Sequence, residues 1–366
     1  MDGITAKITG IKYKPLLCAK LKLFNIKSLD KALSTTSAFI LNVSDGCLFN
    51  NSQIAVSWWV SAKRTRSYPY ARVYDTLGFS GRKVTIIPIV KDEGADGDRD
   101  FLQWDTVSLM SLLGIYVVIG YYSDAEKNER YENKITNQRY DIKYLENEIR
   151  ELLTYQSDAL HWNLSRLEKA GEIGKKAIDA YEEISKKLKV KMHSLDSAKD
   201  WFEELRKNKD TFLNLSRVSA EKAQKRESVT VQPKELLEEG DKTTITITNY
   251  LGGKYFFTCD EAKIQGNELH LIEGKHTREK KLPSLNDIKD GLIKMILFTN
   301  LVEVKVGNQE YNAIPILKLT TGHTTKVDSF ISKEKAILNS LMQESKKNNF
   351  RVLLNGEYLD SIQSLR

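Results

Sequence analysis

Alternating apolar and polar residues predict a series of short strands in the last third of the chain. Gly252-Gly253 and Gln265–Asn267 are turn signals that separate them. The three strands predicted on either side of these turns are Thr243–Tyr250, Lys254–Ile264 and Glu268–His276. Pro283-Ser284 then begins a helix with an apolar stripe that reaches Phe298, and Leu301–Val306 is a further short strand. This order predicts a sheet with a helix packed on it.

The remainder of the chain is predicted to mix strands and helices. The other predicted strands are Ser37–Val43, Ile54–Val60, Lys83–Val90, Ile115–Tyr122, Tyr311–Thr320 and Phe350–Leu354. Phe101–Leu113 and Lys333–Lys346 have helical patterns. Tyr122 to Glu227 is polar with helical spacing throughout, and its last predicted helix is Ala198–Glu227.

Three regions follow from these patterns. Residues 1–124 form an N-terminal α/β region that would contact DNA, residues 125–228 a helical region, and residues 229–366 a region with a mixed sheet. The predicted fold class is α/β (α+β), with a mixed β-sheet flanked by helices.

Composition limits the cellular setting and the partners. The 366 residues carry a net charge of +7, which permits a polyanionic partner without requiring one. Cys18, Cys47 and Cys259 are odd in number and widely spaced, so no disulfide framework is predicted and a reducing cytoplasm is expected. No apolar run is long enough to span a membrane, and the N-terminus lacks the apolar core of a signal peptide, so no membrane partner is expected.

Candidate chemistry lies on two neighbouring predicted strands. Asp260 ends an apolar run on the first strand, and Glu273 and Lys275 follow Leu-Ile on the second. Residues two apart point to one face of a strand, and a hairpin brings its strands within roughly 5 Å. Two carboxylates and an ammonium group would therefore share one small volume. Burial of such groups is costly unless they are paired or bind a metal, and carboxylate oxygens suit Mg²⁺.

Asp260, followed after a short hairpin by Glu273-Gly274-Lys275, a helix and a strand, resembles the core of the PD-(D/E)XK nucleases, which include most type II restriction endonucleases. The resemblance covers Thr243 to Val306 and implies a restriction-endonuclease-like core. It implies that Asp260 and Glu273 bind Mg²⁺ with the carbonyl of Gly274, and that Asp260, Glu273 and Lys275 are catalytic. Cys259 stands where the family has proline.

The resemblance leaves the first acidic ligand open between Asp260 and Glu261, with Asp260 preferred. Family cores carry a helix before the catalytic strands, sometimes with a further acid, for which Glu221 and Glu227 are the candidates. The implied partners are double-stranded DNA and a second copy of the chain in a homodimer. A cognate DNA methyltransferase would be a genetic partner rather than a physical one.

The Glu-x-Lys spacing alone is weak evidence. The same spacing also begins at Glu132, Glu261, Glu279, Glu303 and Glu344. Glu273 differs because an apolar strand precedes it, an acid lies on the preceding strand and a helix follows. The structural alternative is a cross-strand ion pair at a sheet edge.

Two further segments are candidates for DNA contact. In Ser61–Arg72, basic residues interleave with Tyr68 and Tyr70, which suits a phosphate backbone and base stacking as well as it suits a solvated loop. The basic residues are Lys63, Arg64, Arg66 and Arg72. His276 is interpreted as a surface or DNA-facing residue rather than a general base.

The acidic loop Lys91–Asp100 follows a strand, where sites of α/β proteins commonly form. Capping of the next helix by Asp98 or Asp100 is the simpler interpretation. A second functional surface, with DNA contact by Lys91 or Arg99, is the alternative.

The favoured function is a Mg²⁺-dependent, sequence-specific endonuclease of double-stranded DNA. A repair or recombination nuclease of the same fold is one alternative. A DNA-binding protein without catalysis, in which Asp260, Glu273 and Lys275 form a structural ion cluster, is the other.

Overall fold

The computed structural model describes residues 3–44, 53–62, 68–194, 241–249, 254–279, 281–322 and 329–362. The strands, in chain order, are β1 (Ile4–Ile8), β2 (Lys22–Asn25), β3 (Phe39–Asn42), β4 (Gln53–Trp58), β5 (Arg82–Pro88), β6 (Val90–Asp92), β7 (Arg99–Phe101), β8 (Ile115–Gly120), β9 (Tyr122–Lys127), β10 (Ile135–Tyr140), β11 (Asp241–Asn249), β12 (Lys254–Gln265), β13 (Glu268–His276), β14 (Val302–Val306), β15 (Gln309–Glu310), β16 (Asn312–Thr320), β17 (Arg351–Leu354) and β18 (Glu357–Tyr358).

The helices, in chain order, are α1 (Leu29–Leu33), α2 (Pro69–Thr76), α3 (Trp104–Leu112), α4 (Ile142–Thr154), α5 (Ala159–Glu168), α6 (Ala170–Leu188), α7 (Leu285–Phe298) and α8 (Ser332–Asn348). The protein is a mixed α/β protein with a large mixed sheet flanked by helices. In the parts of the chain that the structure describes, no helix combines the length and apolar character needed to cross a bilayer.

The chain forms two compact units whose boundaries differ from the three predicted regions. One unit comprises Met1–Ala19 and Val218–Arg366, and we call it the terminal unit. The other, Lys20–Arg217, is inserted between these two segments of sequence, and we call it the inserted unit. The first residues of the chain therefore belong with the predicted catalytic strands, which the sequence analysis assigned to a separate region.

Nine of the described strands form the sheet of the terminal unit, in the order β15-β14-β1-β11-β12-β13-β16-β17-β18. The strands β11, β12 and β13 form an antiparallel meander, of which the hairpin of β12 with β13 was predicted. The strand β16 is parallel to β13, and β1 is parallel to β11. The helix α7 packs on β13 and β16. Its apolar stripe is fully buried at Ile288, Leu292 and Met295, so burial of this stripe fixes the helix on the sheet.

The inserted unit has its own sheet, in the order β2-β3-β4-β5-β8, where β4, β5 and β8 are parallel. The predicted strand Lys83–Val90, helix Phe101–Leu113 and strand Ile115–Tyr122 correspond to β5, α3 and β8. Most of β8 is buried, as its continuous apolar sequence predicts.

The prediction that residues 125–228 are entirely helical is wrong at its start, because β9 and β10 form an antiparallel hairpin. The helices α4, α5 and α6 then follow as predicted. The predicted helix Ala198–Glu227, with Glu221 and Glu227, lies outside the described residues.

Candidate active site

The strands β12 and β13 bring the predicted site residues together. Their antiparallel register pairs Glu261 with Ile272, so Asp260 and Glu273 are the next neighbours, on the other face of the sheet. Asp260 is 4% exposed and Glu273 is 2% exposed. The Oδ2 atom of Asp260 accepts a hydrogen bond of 2.9 Å from the backbone N–H of Gly274. A Cβ atom at position 274 would lie 3.7 Å from that oxygen, which is an ordinary van der Waals distance, so this hydrogen bond does not itself require glycine.

Glu273 is held between two ammonium groups. Its Oε1 lies 3.0 Å from Nζ of Lys275 and its Oε2 lies 2.6 Å from Nζ of Lys294. Burial acts to raise the pKa of Glu273, but Lys294 and Lys275 outweigh burial and lower this pKa to about 2. Glu273 is therefore a carboxylate over the whole range in which proteins are normally studied.

Lys275 donates to two carboxylates. Besides Glu273, its Nζ lies 2.8 Å from Oδ2 of Asp290, a residue of α7. Burial on its own lowers the pKa of Lys275, but the charges of Glu273 and Asp290 outweigh burial and raise this pKa above its usual value. The ammonium group is therefore protonated at neutral pH and can donate hydrogen bonds or stabilise negative charge.

The helix α7 supplies Asp290 and Lys294 to this cluster. Their positions depend on where the helix begins and on how closely it packs against the sheet. The hydroxyl of Ser284 caps its first turn by accepting from the N–H of Asp287, as the sequence predicts. Gly291 lets the helix approach: a Cβ atom there would lie 2.8 Å from Cδ1 of Leu317 and 3.2 Å from Cε of Lys275. Asp290 and Lys294 are site residues that the sequence analysis missed.

Glu261 lies apart from this cluster. Its carboxylate pairs with Lys263 at 2.8 Å and lies 3.6 Å from Nζ of Lys318. Adjacent residues of a strand point to opposite faces, so Glu261 faces away from Glu273. The geometry therefore favours Asp260 over Glu261 as the acid that accompanies Glu273.

The donor atoms of the cluster suit a hard divalent cation. Asp260 and Glu273 offer carboxylate oxygens and Gly274 a carbonyl oxygen, which are the ligand types that Mg²⁺ prefers. Within the described residues, no three or more His, Cys, Asp or Glu side chains are grouped to hold a metal. Water or substrate oxygens would have to complete the shell.

The buried thiol of Cys259 is not a nucleophile in this arrangement. Its Sγ contacts the carbonyl oxygens of Glu261 and Ile272, at 3.0 and 3.3 Å. Burial raises the pKa of this thiol well above its usual value, so it stays protonated.

The predicted DNA-contacting residues are only partly described. Lys63, Arg64 and Arg66 lie outside the described residues. Arg72 is 6% exposed, its Nε donates to the carbonyl of Trp58 at 2.7 Å, and its guanidinium stacks on the Trp58 ring at 4.0 Å. Burial lowers the pKa of Arg72 to about 10. Arg72 thus packs inside the inserted unit, whereas a phosphate contact requires an exposed side chain.

His276 directly follows Lys275 on β13 and is half-buried. Its Nδ1 lies 2.9 Å from the hydroxyl of Thr320 on the neighbouring strand β16. This contact orients the ring and leaves its role in DNA contact a prediction.

The acidic segment Lys91–Asp100 is a structured hairpin of β6 and β7. Asp92 contacts His193 at 2.8 Å, and Asp100 accepts from the hydroxyl of Ser61 at 2.6 Å. The predicted helix cap is wrong, because α3 starts at Trp104 with Gln103 before it and without a side-chain cap. The polar groups of this segment support the local fold of the inserted unit.

The inserted unit also contains an open cleft of about 1190 Å³. The cleft is lined by residues that include Trp58 and Lys91, near the ends of β4 and β5. Several of its charges are paired with each other: Glu93 with Lys91 at 3.0 Å, and Arg139 with Glu126 at 2.7 Å. No predicted catalytic residue lines this cleft.

Comparison of the chain with protein-family models, with curated proteins and with solved structures gave no match. The chemistry of the candidate active site therefore rests on the geometry of Asp260, Glu273, Gly274, Lys275, Asp290 and Lys294.

Proposed function

We propose that the protein is a Mg²⁺-dependent endonuclease of double-stranded DNA with a PD-(D/E)XK core, of the type II restriction class. One observation carries the proposal. Asp260, Glu273 and Lys275 lie on one face of two adjacent strands. The carboxylate of Asp260 also accepts a hydrogen bond from the backbone N–H of Gly274, the residue between Glu273 and Lys275. This is the side-chain set that the resemblance to the nuclease family implies.

The acidic residues would hold the metal. Asp260, Glu273 and the carbonyl of Gly274 supply oxygen ligands beside the position proposed for the scissile phosphate. The chemistry that Mg²⁺ would supply when bound by these residues is activation of a water molecule and stabilisation of the negative charge on the phosphoryl and leaving oxygens. Asp260 would be fixed in orientation by the N–H of Gly274, which reduces the reorganisation needed during the reaction.

Lys275 would stabilise negative charge rather than accept a proton. Its raised pKa keeps the ammonium protonated at neutral pH, and a protonated amine is a donor only. Asp290 anchors its Nζ, so Lys275 is a pre-oriented donor facing the carboxylates of the site. Electrostatic stabilisation by such a donor typically contributes about 10²–10³ in rate.

The partners are proposed on the same basis. Double-stranded DNA is the proposed substrate, and the net charge of +7 is compatible with it. We further propose a homodimer that acts on two-fold symmetric target sites, with a cognate DNA methyltransferase encoded nearby as a genetic partner.

A plasmid digest tests the proposal. Incubation of unmethylated plasmid with the protein should give a discrete set of fragments in Mg²⁺ and none in EDTA or Ca²⁺. Run-off sequencing of the ends would then map the recognition sequence and the cut positions.

Other outcomes select the alternatives. Cleavage of branched or damaged DNA only would indicate a repair or recombination nuclease. DNA binding without cleavage in the presence of any divalent cation would show that the proposal is wrong. Glu273, Lys275 and Lys294 would then form a structural ion cluster.

The choice between the two adjacent acids gives a further prediction. Asp260→Asn should reduce cleavage by at least about a hundredfold, because it removes a charged metal ligand. Glu261→Gln should retain cleavage within a fewfold, because Glu261 pairs with Lys263 and Lys318 on the other face. Initial rates on plasmid DNA measure both. The opposite ranking would place Glu261 beside the metal and shift the strand register by one residue.

A further inference from the structure

Lys294 is a buried cation on the apolar side of a helix. It is 3% exposed, in the run Gly291–Phe298 of α7, whose other members are buried apolar residues and Gly291. A buried ammonium group is costly unless it is paired and hydrogen-bonded. Lys294 meets this requirement by donating to Oε2 of Glu273 at 2.6 Å and to the carbonyl of Thr258 at 3.1 Å.

The two lysines at Glu273 differ in their anchoring. Lys275 is a residue of the same strand as Glu273 and shares its ammonium with Asp290. Lys294 reaches Glu273 from α7 and is tied to the backbone of β12 through Thr258. The side chain of Lys294 is 4% exposed and that of Lys275 is 16% exposed. Lys294 therefore connects α7, β12 and β13 at the carboxylate that the proposed reaction requires.

The affinity of Oε2 of Glu273 for a divalent cation is lowered while the Lys294 ammonium group is hydrogen-bonded to that same oxygen. A positive charge in contact with a ligand oxygen repels a second cation, and this repulsion is large where water is excluded. The contact of 2.6 Å is therefore a direct competitor for metal binding as well as a support for the carboxylate.

We propose that Lys294 is a positioning residue that holds the Glu273 carboxylate in its orientation and weakens binding of a divalent cation to it. This inference rests on the proposed function, since it takes Glu273 to be a metal ligand. The consequence is a site with low affinity for the cation alone, in which the phosphate oxygens of bound DNA are needed to complete the shell. Cation and DNA then bind cooperatively.

Titration calorimetry with MnCl₂ in the absence of DNA tests this inference on the full-length chain. Lys294→Gln keeps a hydrogen-bond donor for Glu273 and removes the charge. Its dissociation constant for Mn²⁺ should be lower than that of the unmodified protein, by on the order of tenfold. Lys294→Met serves as a second variant with the same expected direction, should the first fail to fold.

Two controls separate charge competition from general loss of packing. Lys318→Met removes another buried lysine, which lies 3.6 Å from Glu261 on the opposite face, and should leave the Mn²⁺ affinity unchanged even if the protein melts earlier. Glu273→Gln combined with Lys294→Gln should abolish the tight Mn²⁺ binding, because the ligand itself is removed.

These experiments distinguish failure of the inference about Lys294 from failure of the nuclease proposal. Equal Mn²⁺ affinity in the unmodified protein and both Lys294 variants, with affinity lost in the Glu273 variant, would overturn the inference and leave the metal site intact. Absence of Mn²⁺ binding in every protein would overturn the inference, and the plasmid digest would then decide the nuclease proposal separately. Tighter binding in the Lys294 variants, with no cleavage of any DNA by the unmodified protein, would support the inference while removing the nuclease proposal.

Discussion

Replacing Glu273 by glutamine is expected to reduce plasmid cleavage by at least about a thousandfold, and replacing Lys275 by methionine by about a hundred- to a thousandfold. The first change removes the charge of a metal ligand that is held between two ammonium groups. The second removes the donor that faces the carboxylates. Both substitutions preserve side-chain size, so the surrounding core keeps its volume.

The same spacing elsewhere in the sheet provides a matched control. Glu303 and Lys305 form a Glu-x-Lys pair on β14, where Glu303 is exposed and pairs with Lys7 at 2.6 Å. Glu303→Gln and Lys305→Met should therefore cut plasmid at the normal rate. Circular-dichroism melts and DNA binding in Ca²⁺ would verify that the Glu273 and Lys275 variants are folded. Normal cleavage by the Glu273 variant or the Lys275 variant would show that the candidate active site is not where the reaction takes place.

Replacing Glu344 by alanine is expected to cost about 3 kcal/mol or more of unfolding free energy in the terminal unit. Glu344 is fully buried on α8 and accepts three hydrogen bonds from the N-terminal segment. The donors are the hydroxyl of Tyr13 at 2.7 Å and the N–H groups of Leu16 and Leu17 at 2.9 and 3.2 Å. Alanine would remove the buried charged acceptor that these three donors share, and loss of a hydrogen bond to a charged group typically costs about 1.5–3 kcal/mol.

Calorimetric melting measures this effect. A loss of about 3 kcal/mol corresponds to a decrease of roughly 6–12 °C in the melting temperature of a unit of this size. Gln343→Ala is the control, because Gln343 is the exposed neighbour on the same helix. The melting temperature of Glu344→Gln should lie between those of Glu344→Ala and Gln343→Ala, because the amide oxygen still accepts hydrogen bonds but carries no charge. A melting temperature unchanged in Glu344→Ala would show that the N-terminal segment is held by other contacts.

The local part of the candidate site was predictable from the sequence because its signals are local. Turn residues delimit β12 and β13, and alternation assigns Glu273 and Lys275 to one face. The predicted strand Glu268–His276 is confirmed residue for residue, and Lys254–Ile264 is one residue short of β12. Ser284 likewise marks the start of α7 through a cap that involves only the next three residues.

Contacts between distant segments were not predictable in this way. The parallel pairing of β1 with β11 leaves no trace in the local pattern, so the sequence analysis placed these two strands in different regions. The hairpin of β9 and β10 was interpreted as helix because its residues are mostly polar. Cross-strand pairs such as Arg139 with Asp124 stabilise it, and such pairs become visible only once the register is known.

Lys294 did have a signal that was overlooked. A single lysine within the apolar run Gly291–Phe298 must either interrupt the buried face or find a carboxylate. Glu273 was the carboxylate already assigned to the adjacent strand. Joining these two observations would have predicted the contact.

The pairing of β1 with β11 also affects how the protein is made. Ile4 lies beside Ile245, and Val306 lies on the other side of Ile4, so β1 is synthesised before both of its partner strands, from which the inserted unit separates it in sequence. Contacts of such large sequence separation slow folding, whereas the inserted unit is contiguous and can fold as soon as it emerges from the ribosome. A fragment beginning at Val218 would lack β1 and expose the edges of β11 and β14 to association with other chains. Expression of the candidate active site by itself therefore requires residues 1–19 to be joined to residues 218–366 by a linker in place of the inserted unit.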